Sequence, residues 1–128
     1  MKAILSIKPK YAERILSGEK GYEYRKRIFR SEDVSRVVMY ATQPVSRLVG
    51  EFGIEQILRD EPDKLWKRTS DAAGLSRAQF YSYFESRSTG VAIAISQVQR
   101  FSPPVDPWNA IEDFHPPQSF RYWDSKVG

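Results

Sequence analysis

Apolar and polar residues alternate weakly over residues 2–7, which predicts a strand, and Pro9 then suits the first turn of a helix that runs to Leu16. Gly18 closes that helix in a left-handed conformation. The β-formers after it, Tyr22 and Tyr24 among them, predict an extended segment as far as Arg27. Ser31 to Asp33 makes a polar turn, and the run Val37, Val38, Met39, Tyr40 reads as a short, largely buried strand. Residues 48–58 alternate around Gly50 and Gly53, where a missing side chain predicts a bulge or a close backbone approach in a curved sheet.

The pattern then switches to that of a helix. Pro62 suits a first turn, Leu65, Trp66 and Thr69 fall at helical spacing, and Gly74 breaks the run. Ser76 caps a second helix in which Phe80, Tyr83 and Phe84 lie three to four apart. A helical hairpin inserted between strands is expected over residues 61–86. Gly90 introduces residues 91–98, VAIAISQV, the clearest strand of the chain. From Ser102 the tail holds five of the eight prolines, and it is expected to wrap over the core because Trp108, Phe114, Phe120, Tyr122 and Trp123 favour burial.

One β-rich α+β domain spanning residues 1–128 is the simplest account, since no repeat, low-complexity block or linker divides the chain. A hydrophobic share of 41% with 13% aromatic residues argues against disorder. No apolar run approaches the roughly 20 residues of a membrane span, and residues 1–7 are too short for a secretory leader. A cytoplasmic monomer with no membrane partner is expected. With no Cys a disulfide frame and a thiolate metal site are excluded, and with a single histidine, His115, the usual zinc constellations, and any metal or cofactor, are not expected.

Charge changes the picture more. Residues 1–50 hold 11 Lys and Arg against 5 Asp and Glu, residues 51–100 hold 7 against 7, and residues 101–128 hold 2 against 4. The front of the chain therefore carries an excess of six positive charges, an electrostatic footprint that suits a polyanion. The densest chemistry lies there too, in residues 17–27, SGEKGYEYRKR. A glycine turn delivers Lys20, Glu23, Arg25, Lys26 and Arg27 onto one short extended segment beside Tyr22 and Tyr24. Strict alternation places Glu23, Arg25 and Arg27 on one face, with Tyr22, Tyr24 and Lys26 on the other.

Strand, helix, then G-x-K-x-x-E-x-R, written here as Gly18, Lys20, Glu23 and Arg25, resembles the signature of ASCH domains, which are similar to the PUA fold. AILSIKPKYAERILSGEK, YATQPVSRLVGEF and PPQSFRYW resemble further stretches of prokaryotic and phage members, so the likeness covers most of the chain outside the helical insertion. It implies a small β-barrel flanked by helices, with a cleft for RNA or a nucleotide-like ligand beside the G-x-K turn. One branch removes acyl groups from modified cytidines with a lysine, a threonine and a distant glutamate. Here the lysine matches Lys20, but Glu23 stands in the threonine's place, so that hydroxyl nucleophile is absent. Glu51, Glu55 and Glu85 are all open as the distant acid. Another branch cleaves RNA.

The leading expectation is binding of RNA, single-stranded nucleic acid or a modified nucleoside. Lys20, Arg25 and Arg27 meet phosphates, and Glu23 accepts from a base edge or orients Arg25. Thr42, Gln43 and Ser46, on the loop after the third strand, and Gln118 supply polar groups that read base edges. An alternative is a metal-independent ribonuclease, in which Lys20 and Glu23 act with Tyr40, Tyr24 or Ser119 moving protons. A nucleoside-processing hydrolase on the same cleft is a further possibility. A Ser-His-Asp triad built on His115 lacks any defining turn around a serine. A protein-interaction adaptor, using the aromatic tail or the helical hairpin, stands as a third class.

Overall fold

The computed structural model describes residues 1–124. The chain runs β1 (Lys2–Ile7), α1 (Pro9–Leu16), β2 (Tyr22–Arg25), β3 (Arg36–Ala41), β4 (Arg47–Asp60), α2 (Pro62–Thr69), a 3-10 turn (Ser70–Ala72), α3 (Arg77–Tyr83), β5 (Gly90–Val105), α4 (Pro107–Ala110) and β6 (Phe120–Trp123). Six strands form one sheet in the order β2-β5-β4-β3-β1-β6. β1 and β3 are parallel, with α1 and β2 between them in the chain, and every other pairing is antiparallel.

Local sequence explains most of these elements. Pro9 opens α1, and Gly18, at φ +86°, ends it by donating its N–H to the Ile15 carbonyl. Ser76 and Gln79 form a reciprocal capping box at the start of α3. β1 is buried on both faces. Ala3, Leu5 and Ile7 pack with Ala12 and Ile15 of α1 and with Val37 and Met39 of β3. Ile4, on the opposite face, joins Val38, Tyr40, Leu48, Ile111 and Phe114. A third cluster sits under α2 and α3, where Tyr24, Leu65, Phe80, Phe84 and Ala92 meet.

β4 and β5 are the long strands, and their pairing slips near both predicted glycines. At Gly50 a Cβ would stand 2.5 Å from the Gln99 carbonyl oxygen and 2.7 Å from Leu16, so the close approach expected there is real. β5 continues past residue 98 to Val105, longer than expected. The register shift between Leu48 and Gly50 lets it carry Pro103 and Pro104 in a stretch where ladder bonds are missing.

Two further expectations change. The sheet is not closed into a barrel: β2 and β6 remain its edges. β2 is only four residues long, because the chain bends at Lys26 and Arg27 and the strand cannot extend its ladder. One side chain nevertheless crosses the seam. Arg25 on β2 donates to the carbonyl of Ser6 on β1 at 3.2 Å and to that of Ser119, next to β6, at 2.8 Å. The tail is also less covered than its aromatic content predicts. Phe114 is buried, but Trp108 is 48% exposed and Tyr122 is 40% exposed. The Tyr122 hydroxyl accepts the backbone N–H groups of Arg30 and Ser31, a polar contact that keeps it at the surface. Two short helices, α2 and α3, occupy the expected stretch between β4 and β5. No helix among the described residues is long and apolar enough to cross a membrane.

Candidate functional site

A cavity of about 580 Å³ opens beside β2. Lys20, Glu23, Tyr24 and Arg25 form one wall. Ser6, Ile7, Lys8, Lys10 and Tyr11, where β1 passes into α1, form a second. Leu75, Ala78, Gln79, Ser82 and Tyr83, on and just before α3, form a third. The spacing of that last group puts it on one helical face. The cavity therefore sits at the seam between the edge strand β2 and the end of β1, which do not pair.

Lys20 is 2% exposed. Its Nζ donates to the Ala73 carbonyl at 2.7 Å and lies 4.7 Å from the Tyr24 ring centre and 5.4 Å from that of Tyr11. Gly74, at φ +70°, is pressed against the lysine stem, and a Cβ there would overlap it. Burial lowers the ammonium to about 8; the Glu23 carboxylate opposes the fall and the Arg14 guanidinium adds to it.

Glu23 is buried as well, and burial pushes its carboxyl above the usual range although Arg25 and Lys20 oppose the shift. Its Oε2 accepts from Arg25 Nη1 at 3.2 Å. Arg25 is thereby committed on three sides, to Glu23 and to the Ser6 and Ser119 carbonyls. Tyr24 donates its hydroxyl to Thr69 Oγ1 at 2.7 Å, and burial pushes that phenol up to about 12 despite the bond. The Tyr83 hydroxyl accepts the Lys26 backbone N–H, and burial raises it too.

The structure thus brings together Lys20, Glu23, Tyr24 and Arg25 and leaves the other predicted residues elsewhere. Arg27 is exposed beyond the end of β2, because the alternation that placed it with Arg25 stops there. Tyr40 is buried against Phe114 and Trp108, with ring centres 5.4 and 6.1 Å away, and does not line the cavity. Ser119 touches the seam through its carbonyl alone. Thr42, Gln43 and Ser46 lie in the turn between β3 and β4, where the Val45 and Ser46 N–H groups donate to the Thr42 carbonyl. That is turn chemistry, away from the cavity. Gln118 and His115 are exposed, and neither lines the cavity.

None of the three acids left open lines the cavity either. Glu51 is bound by Lys2 and Arg36, and Glu55 and Glu85 are exposed. Sequence reasoning missed Lys8, Lys10 and Tyr11, whose only signal was a pair of cations bracketing Pro9. It also missed the α3 face, where Gln79 and Ser82 give no chemical signal at all. Among the described residues no three His, Cys, Asp or Glu side chains gather as metal ligands would.

Arranged in this way, the cavity offers a lysine lowered to about 8, a carboxyl group that burial holds above its usual range, aromatic surfaces and two exposed rim lysines. The family described as a domain of unknown function, DUF365, matches residues 2–112. An ASCH domain-containing ribonuclease of Zymomonas mobilis subsp. mobilis is 34% identical over 122 residues, covering 94% of this chain and 82% of the relative. The crystal structure of ASCH from Zymomonas mobilis has a TM-score of 0.88 at 31% identity, covering 95% of this chain and 87% of that one. A variant of that protein with a tyrosine changed to phenylalanine has the same TM-score at 30% identity, covering 95% and 89%. With the motif at Gly18, Lys20, Glu23 and Arg25 in place and these likenesses running almost end to end, the chain belongs to the ASCH domain family.

Proposed function

We propose that the cavity beside β2 binds RNA, seating one nucleotide of a single strand. The observation that carries this reading is the pair of buried ionisable side chains, Lys20 and Glu23, on one wall of a cavity whose rim holds Lys8 and Lys10. The rim lysines attract phosphates. Tyr11 and Tyr83 offer ring faces for an unpaired base. Glu23 accepts from a base edge through the oxygen that Arg25 leaves free. Arg25 itself is a positioning group in this reading, since three of its five N–H donors are already engaged.

A ribonuclease activity on the same cleft is favoured by the Zymomonas mobilis relative, which is a ribonuclease. In this chain the reaction is an in-line attack of the ribose 2′-hydroxyl on the adjacent phosphorus. Glu23 takes the hydroxyl proton and passes it to O5′ as the P–O5′ bond breaks, leaving a cyclic phosphate and a 5′-hydroxyl. The Lys20 ammonium faces the charge that develops on the phosphoryl oxygens. Tyr24 is a poor base here because burial holds its phenol near 12.

Incubation with single-stranded RNA in EDTA tests both levels. Binding should weaken with salt, with a log–log slope of about −0.7 per phosphate neutralised; flat binding or none overturns the RNA reading. Cleavage should survive EDTA and fall at least about 100-fold in Lys20→Ala, in line with the loss of one group stabilising developing charge. Binding without cleavage, or cleavage indifferent to Lys20→Ala, removes the enzymatic half alone.

A further inference from the structure

We propose that Lys20 acts as an amine nucleophile toward a nucleic-acid strand that carries an aldehyde, forming an imine with the open-chain sugar of a nucleotide that has lost its base. The inference rests on the reading that the cavity takes a nucleic-acid strand, and adds a chemistry that this reading does not require. A lysine kept only as a cation is served by a carboxylate at bonding distance and by water. Lys20 has little of either. No carboxylate pairs with it among the described residues, it is 2% exposed, and its one hydrogen bond goes to the Ala73 carbonyl.

The surroundings are built to hold it in that condition. Tyr11 and Tyr24 wall it in, Gly74 clears space for its stem, and Arg14, which donates to the Gly74 carbonyl at 2.8 Å, sets a second cation close by. Desolvation and a neighbouring cation are what free a lysine's lone pair. With the ammonium lowered to about 8, about one Lys20 in ten is neutral at pH 7, against about one in 2,500 for a solvated lysine. Glu23 provides the proton relay, because Arg25 holds Oε2 and Oε1 has no partner among the described residues.

The step balances without any oxidant or reductant. Neutral Nζ attacks the aldehyde carbon C1′, forming the C–N bond as the carbonyl π pair moves to oxygen. The Glu23 carboxyl protonates that oxygen and the carboxylate takes a proton from nitrogen, giving the carbinolamine. Protonation of the hydroxyl by Glu23 then breaks the C–O bond, and water leaves. The last nitrogen proton returns to the carboxylate, so amine plus aldehyde become imine plus water. A base-less sugar with its flanking phosphate is smaller than a whole nucleotide, and the cavity of about 580 Å³ has room for it with Lys8 and Lys10 beside the phosphates.

The test uses a single-stranded oligonucleotide containing one abasic nucleotide, with sodium cyanoborohydride to reduce any imine to a stable amine. A matched oligonucleotide with a tetrahydrofuran in place of the aldehyde sugar measures binding alone. A covalent adduct is expected, mapped by peptide mass spectrometry to Lys20, with an initial rate that rises about 25-fold between pH 6.5 and 8.5 as the neutral amine accumulates and a yield that drops to background in Lys20→Arg. Binding of the tetrahydrofuran strand without an adduct overturns the inference and leaves the RNA reading standing. An adduct on the Met1 amine, Lys8 or Lys10 in place of Lys20 also overturns it. Failure to bind either strand overturns both. If Lys20→Arg does not fold, as judged by circular dichroism, the site mapped in the unaltered protein decides alone.

Discussion

Glu23 and Glu51 are each 6% exposed, yet the first carboxyl is pushed above the usual range and the second is held below it. Burial acts to raise both. At Glu51 it is outweighed by direct bonds and charge from Arg36 and Lys2, the latter at 3.0 Å. At Glu23 the one direct bond comes from a guanidinium shared with two carbonyls, and Lys20 gives its hydrogen bond to Ala73 instead. Two cations in contact make a carboxylate structural. One divided cation and one desolvated amine leave a carboxyl held above its usual range, and of the two only that one faces the cavity beside β2.

The contrast breaks most clearly if both acids are changed to amides. Glu51→Gln should destabilise the protein at pH 7 by about 3 kcal/mol, the low end for removing one partner of a buried ion cluster, because Lys2 and Arg36 keep some access to water. Glu23→Gln should instead stabilise it at pH 7, since it removes a carboxylate whose ionisation the fold opposes. The signs follow from linkage. A carboxyl lowered in the folded state contributes stability that is present above its unfolded value and lost as pH falls through the folded one. A raised carboxyl does the reverse, so the advantage of Glu23→Gln should disappear as pH falls below the unfolded value of about 4.3. Urea titrations at pH 7 and pH 4 measure both. Two shifts of the same sign at pH 7 would show that the acids are alike.

Much of this contrast was legible in the sequence, and the rest was hidden for identifiable reasons. Lys20, Glu23 and Arg25 share a wall because a turn at Gly18 and four residues of strand keep them together, and such short-range geometry is encoded locally. β1, α1, β3 and the capped α3 follow from periodicity and end signals in the same way. Arg27, Tyr40 and Ser119 failed as cavity residues because their placement depends on where β2 stops, which face of β3 meets α4, and how the tail docks on β1. Those are tertiary facts. The α3 face was invisible because Gln79 and Ser82 are ordinary helix-surface residues until β2 lies opposite them. Glu51 stood out only as a possible distant acid, and its two cations come from β1 and β3, at sequence separations of 49 and 15.

Lys20 sharpens the comparison from the cationic side. Its ammonium is lowered to about 8 in the folded protein, against an unfolded value near 10.4. Below pH 8 the lysine is charged in both states and the folded state bears the desolvation. Between about 8 and 10 the unfolded chain binds a proton that the folded one lacks, so stability rises with pH. The expected gain relative to Lys20→Met is about 2 kcal/mol between pH 7.5 and 9.5, allowing for some relaxation of the site. Parallel pH profiles for the two proteins would place Lys20 among ordinary surface lysines.

The smallest effect concerns Arg25, which the strand pattern offered as a phosphate contact and the structure engages on three sides. Lysine at this position keeps the charge but lacks the planar fork, so it cannot reach Glu23, the Ser6 carbonyl and the Ser119 carbonyl together. Two consequences are expected in Arg25→Lys. The Glu23 carboxyl should move further up, since Arg25 is the largest influence opposing its burial, and carbonyl-carbon NMR titration reads that directly. Backbone amides of β6 should exchange with solvent about tenfold faster, a local loss of about 1.4 kcal/mol, because the seam between β2 and the tail has no ladder to replace the lost bonds. Neither change need alter the global midpoint much, as β6 still pairs with β1. If Glu23 and β6 are both unmoved while RNA affinity falls and its salt slope shrinks, Arg25 contacts phosphate after all, and the divided guanidinium cannot be what separates Glu23 from Glu51.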